Sequence, residues 1–192
     1  MKKQSEKNLF SGKWISLTEL TFKTKNNQII YWEGIKRINT HIILVIVPII
    51  KPHNQYILIK QFRPSVNNVV IGFPAGILDL KNTAKNSAKI DIETQALKEL
   101  KEETGYTGII TDISPELVFN PALSNERVYI VSAEIDANNP LNLHPVQQLE
   151  PAEEIDVVLV DKVKIKEYLI QERKNGLEIG VALWYLFGIP QF

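Results

Sequence analysis

Apolar residues recur at nearly every second position early in the chain, then on nearly every position further on. Residues 13–23, KWISLTELTFK, set Trp14, Ile15, Leu17, Leu20 and Phe22 among polar neighbours, the pattern of a half-buried strand. KTKNNQ follows, and its Asn26-Asn27 pair tolerates a left-handed backbone, so a turn is predicted there. IIYWEGIKR (29–37) reads as the return strand. A hairpin of this size buries little apolar area alone and needs a partner. Residues 1–11 are polar and are expected to fray.

HIILVIVPII (41–50) is apolar on nearly every residue, as in a strand covered on both faces. A turn at 52–55 leads to a second strand, QYILIKQFRP (55–64). VVIGFPAGIL (69–78) is a third apolar stretch, closed by Pro74 and Gly76. Residues 79–90 are polar and lysine-rich and read as a surface loop. A helix is predicted from Asp91, its N-cap, to about Thr104, with Gly105 as its stop. Ile92, Ala96, Leu97 and Leu100 form its apolar stripe, with Glu99, Glu102 and Glu103 read as lying off it. Strands are predicted at 109–119, 127–135 and 154–161, a long loop at 138–153, and closing helices near 162–174 and 178–187. This order describes an α+β or α/β/α layered domain preceded by a hairpin.

Composition narrows the function classes. Lys+Arg and Asp+Glu are 22 each, so a strong non-specific nucleic-acid or membrane binder is not expected. Cysteine is absent, which excludes disulfides, thiolate metal ligands and a thiol nucleophile. No apolar run reaches membrane-spanning length and the N-terminus lacks the apolar core of a secretory signal, so a cytoplasmic protein is expected, or a nuclear one if the source is eukaryotic. His41, His53 and His144 are scattered without ligand spacing, and surface or core positions are expected for all three.

Against this even balance, ALKELKEETGY (96–106) concentrates carboxylate. Glu99, Glu102 and Glu103 stand three and four positions apart and share one edge of a helix. Like charges at that spacing repel by a few tenths of a kcal/mol, roughly, in an isolated helix, and a divalent cation turns the repulsion into attraction. Oxygen-only ligands suit Mg²⁺, or Mn²⁺, and Mg²⁺ is commonly shared with substrate phosphates. The neighbouring Lys98 and Lys101 fit a solvated face equally well.

KELKEETGY (98–106), with PAG (74–76) and the bulky Ile77-Leu78 upstream, resembles the box of the nudix hydrolases. Lys98 stands where that family has arginine, and Ile90 occupies its upstream glutamate position, with Glu93 the nearest acid on the helix. Gly76 lies further from the box than in the family pattern, and the surplus falls in the loop 79–90, where added length costs little. The flanks GKWISLTELTF, YWEGIKR, KQFRPSVNNVVIGFPAG, NPALSNERVYIVSAEI and PAEEIDVVLV resemble the ADP-ribose and ADP-sugar pyrophosphatases of that family over most of the chain.

The resemblance implies a nudix α/β/α sandwich with a mixed sheet, of α+β class, preceded by an N-terminal antiparallel β-hairpin or sheet. Residues 1–39 would be a dimerisation appendage and 40–192 the hydrolase domain. It implies Mg²⁺-dependent hydrolysis of the diphosphate of ADP-ribose or an ADP-sugar by a homodimer. A GDP- or UDP-sugar as substrate, or a nucleotide-binding module without catalysis, is the alternative. Glu99, Glu102, Glu103 and Ala75 would hold the metal. Glu153, with Glu154 as its neighbour-in-register alternative, would be the loop general base, acting with Glu102 and Glu103. Trp14 and Trp32 would stack on the base, and Arg37, Arg63 and Ala75 would contact the nucleotide or diphosphate. Ser124 and Glu126 would lie near the sugar.

Overall fold

A computed structural model describes residues 1–38, 41–79 and 88–189. The chain forms two sheets. The first is antiparallel and three-stranded, β1 (Lys2–Ser11), β2 (Ile15–Lys23) and β3 (Ile29–Arg37), in that order. The β2–β3 turn carries Asn27 at φ 63°, the left-handed residue its sequence predicts. The expected fraying of residues 1–11 is not found. They form β1, paired along their length with β2 while every side chain stays exposed. Backbone pairing needs no apolar side chains, so polarity alone was a poor guide here.

The second sheet is mixed. It contains β4 (His41–Lys51), β5 (Gln55–Arg63), β6 (Asn68–Gly72), β7 (Ala75–Asp79), β8 (Ile109–Ile113), β9 (Leu117–Val118), β10 (Arg127–Asp136), β11 (Ile155–Asp161) and β12 (Glu178–Ile179). β4 lies parallel to β10 and antiparallel to β5 and β7, and β5 also pairs with β6 and β11. The continuous apolar run of β4 serves both faces. Ile42, Leu44 and Ile46 pack under helix α1 (Ala88–Thr104) with Ile92, Ala96 and Leu100. Val45 and Val47 pack on the opposite side, where Leu58, Ile71 and Phe73 meet Ile165 and Leu169 of α2 (Ile165–Lys174) and Leu183 of α3 (Val181–Leu183). Each fully buried Leu or Ile contributes roughly 1.5–3 kcal/mol of transfer free energy.

Three boundaries differ from the sequence reading. The helix α1 opens at Ala88, so Asp91 lies inside its first turn and is not its cap. The strand expected over 109–119 is split at Ser114–Glu116, next to Pro115, where Ser114 bonds Ile130 instead of extending the ladder. The closing helix expected at 178–187 begins as β12, parallel to β6, with Gly180 N–H donating to Ile71 O at 2.7 Å. Most of the loop 79–90 and the boundary at 39–40 lie outside the described residues. His53 and His144 are exposed, and the His41 side chain lies outside the description. Among the described residues no helix is long and apolar enough to cross a membrane.

Candidate active site

The carboxylate helix and the β7 edge build the site together. Glu103 is expected off the apolar stripe, but it lies on it. It is seven residues after Ala96 and three after Leu100, so it continues their face and is only 3% exposed. Its Oε2 accepts the Ala75 N–H at 2.9 Å. Burial pushes the Glu103 carboxyl up to about 8, against the pull of the Ala75 N–H. The negative charges of Glu99 and Glu153 push the same way, and Arg63 opposes them.

Glu99, one turn earlier, lies directly over Gly76. A Cβ at residue 76 would stand 2.1 Å from Glu99 Cδ, so only glycine admits this side chain. Gln95 Nε2 donates to Glu99 Oε1 at 2.7 Å, which pulls the carboxyl down, but burial prevails and raises it. Glu102 points elsewhere, and its Oε2 accepts Lys98 Nζ at 2.8 Å. That bond raises the Lys98 ammonium above its ordinary value. Lysine in the family's arginine position therefore engages a box carboxylate with one contact in place of a planar fork.

The loop acids separate. Glu153 is half-buried, accepts Glu150 N–H at 2.9 Å, and acts electrostatically on both Glu99 and Glu103. Glu154 is exposed. Arg63 ends β5, on the face shared by Ile57, Ile59 and Gln61, and is close enough to favour the charged form of Glu103. The structure thus gathers Ala75, Glu99, Glu103, Glu153 and Arg63, with Glu102 turned to Lys98.

The aromatic candidates lie on the first sheet. Trp14 and Trp32 are 70% and 53% exposed. Ile15 pairs with Arg37 and Leu20 with Trp32, and Ile38 N–H donates to Trp14 O. Trp14 is therefore six residues along β3 from Trp32, roughly 20 Å at the strand rise, too far for both to sandwich one ring within a chain. Arg37 Nε donates to Glu126 Oε1 at 2.6 Å, and Ser124 Oγ to Glu126 Oε2 at 3.2 Å. Trp32 Nε1 donates to Ala122 O at 3.2 Å, so the 120–126 loop is tied to the first sheet.

Among the described residues no three His, Cys, Asp or Glu side chains form a cation cage by themselves. The donor chemistry nevertheless fits a hard cation. Every candidate donor is oxygen, and Glu103 carries a carboxyl whose ionisation burial opposes. Gln61 Oε1, on the same strand face, is buried without a hydrogen-bond partner. The sequence marks Gly76 as the glycine upstream of the carboxylate box and does not mark Gln95 or Gln61 as site residues. Of these two, Gln95 carries a readable signal, standing four residues before Glu99 on the helix.

No family model matches the chain. An uncharacterized Nudix hydrolase of Schizosaccharomyces pombe is 33% identical over 180 residues, 90% of this chain and 83% of the relative. An ADP-ribose pyrophosphatase of Saccharomyces cerevisiae is 34% identical, over 89% of this chain and 74% of its own. Among solved structures, an ADP compounds hydrolase superposes with a TM-score of 0.64 at 18% identity, over 92% of this chain and 96% of that one, and so shares its fold. The carboxylate helix over a glycine edge and the identity to these relatives lead to one assignment: the chain belongs to the Nudix hydrolase family.

Proposed function

We propose that this hydrolase cleaves the diphosphate bond of ADP-ribose or a related ADP-sugar, giving AMP and a sugar phosphate. The single observation that carries the chemistry is Glu103, a buried carboxylate fixed by Ala75 N–H and flanked by Glu99, Glu153 and Arg63. The names of the yeast relative and of the mouse ADP-sugar pyrophosphatase, 28% identical over 82% of this chain and 72% of its own, support the substrate class.

Glu99 and Glu103, with Glu102 on release from Lys98 and the backbone at Ala75, would hold Mg²⁺. When bound, the ion supplies charge neutralisation of the diphosphate and acidification of a water. Arg63 offers a fixed fork to diphosphate oxygens. Glu153 accepts the proton of the attacking water. The water oxygen bonds to one phosphorus, the P–O bond to the bridging oxygen breaks, and the second phosphate leaves with its electron pair.

The base site is proposed to form between two copies. One chain cannot close Trp14 and Trp32 on the same ring, but juxtaposing the first sheets, residues 1–39, of two copies would let Trp14 of one serve the same base as Trp32 of the other. Exposed Phe10, Trp14, Tyr31 and Trp32 supply apolar area for that contact.

The deciding experiment measures AMP release from ADP-ribose with Mg²⁺ and with EDTA, beside GDP- and UDP-sugars. Metal-dependent release, fastest with ADP-ribose, is expected. Preference for another base would discard the adenine assignment, and absence of turnover on every substrate would overturn the hydrolase mechanism.

A further inference from the structure

The end of α1 is held by an uncommon set of donors. The last carbonyls of a helix have no partner inside it. Here Glu102 O accepts Gln148 N–H at 2.8 Å, and Glu103 O accepts the side-chain amide of Gln147 at 2.6 Å. The loop can lie this close because residue 105 is glycine, at φ 78°, where a Cβ would stand 2.5 Å from Val146 N.

Gln147 does more than cap the helix. The same Nε2 donates to Ile155 O at 3.0 Å. Its two hydrogens serve two carbonyls, so the amide has one workable orientation, since the flipped form would aim its oxygen at two other oxygens. Ile155 opens β11, two residues after Glu153. Glu103 is the buried carboxylate of α1. One amide group therefore joins the backbone of the helix acid to the backbone just beyond the loop acid. Ile155 is also paired with Gln61 of β5. Among the described residues, the hydrogen bonds of Glu153 itself are local to its own turn, its N–H to Glu150 O and its carboxylate from Glu150 N–H, both 2.9 Å. Such a turn fixes the shape of the segment but not its distance from the helix.

We propose that Gln147 is a positioning residue that sets the separation between Glu153 and the carboxylates of α1. The proposal rests on the hydrolase reading and on Glu153 as the proton acceptor. It predicts an effect on turnover without an effect on nucleotide binding, because among the described residues the Gln147 amide donates to backbone carbonyls.

The test is a double-mutant cycle on the full-length protein with ADP-ribose and Mg²⁺. Gln147→Met keeps the length and removes both donors. A shift of the loop by about 1 Å is expected to lower kcat by ~10²-fold with KM within about threefold of wild type. Glu153→Gln is expected to lower kcat by a similar or larger factor. If Gln147 acts through Glu153, the double variant is no slower than Glu153→Gln alone. Multiplying losses would overturn this proposal and leave the hydrolase reading intact. A Glu153→Gln enzyme as fast as wild type would overturn both the proposal and the role of Glu153. Should Gln147→Met fail to fold, Gln147→Asn, which keeps the amide one methylene short, enters the same cycle. If neither folds, Gln147 serves the fold and the proposal is wrong.

Discussion

Replacing Gly76 by alanine separates the geometry of the site from the stability of the fold. The added Cβ would lie 2.1 Å from Glu99 Cδ and 2.2 Å from Cγ. Ordinary contact begins near 3.4 Å, so the Glu99 carboxylate must retreat by more than 1 Å. The obstacle is the far part of a flexible side chain, and residue 76 lies in a strand where alanine is acceptable. The unfolded chain loses freedom, which favours the variant by about 0.5–1 kcal/mol. The Gln95–Glu99 hydrogen bond is lost, which costs about 1 kcal/mol. These nearly cancel, and Tm is expected to move by no more than about 4 °C. Activity has no such offset, because a misplacement of this size at a reacting centre costs ~10²-fold in kcat/KM. The assay pairs AMP release in saturating Mg²⁺ with a thermal melt. Wild-type turnover in Gly76→Ala would refute the placement of Glu99. A loss of activity that merely tracks unfolding would refute the claim that this glycine serves the site.

Other outcomes follow from the same geometry. In EDTA the folded protein keeps Glu103 protonated up to about pH 8, whereas the unfolded chain releases that proton near 4.5. The proton-linked stability is complete below 4.5 and is lost as pH rises through 8, by up to about 5 kcal/mol. Urea midpoints at pH 5 and pH 8 should therefore fall with pH in the wild type and fall less in Glu103→Gln, where the raised Glu99 carboxyl still contributes in the same sense, and a level wild type would contradict the burial argument. Arg63→Lys retains charge but loses the fork, so KM for ADP-ribose is expected to rise by about tenfold or more with Tm unchanged, and an unchanged KM would remove Arg63 from the diphosphate site. Trp14→Ala and Trp32→Ala are each expected to abolish base recognition. Mixing the two variants through a denaturation–renaturation cycle should restore about a quarter of wild-type activity, since half the dimers then carry one intact site, whereas no recovery would place both tryptophans in one chain's site.

Much of this site was written in the sequence, and the part that was not has physical causes. The helix, its stop at Gly105 and the both-sided burial of β4 follow from local periodicity, which a single chain displays directly. The pairing of β1 did not follow, because it rests on backbone bonds to a strand whose partners are not visible in composition. Glu103 was misplaced for a related reason. Its charge marked it as exposed, while the count from Ala96 and Leu100 put it inside. The choice between Glu153 and Glu154 was closed to sequence, since adjacent residues differ only in which way the chain turns them. Gln147 was hidden in a stretch read simply as loop, and its two partners stand 44 and 8 residues away.

Glu103 occupies a place in the molecule that ordinarily goes to leucine or isoleucine, one step along the stripe that packs α1 onto the sheet. Robustness and turnover therefore make opposite demands on the same few atoms. A library of variants selected for heat resistance alone would drift toward uncharged side chains at 103 and yield sturdy, inert proteins. A library selected for activity would hold the acid there and collect its gains in stability elsewhere, in the packing beneath α2 or along β1.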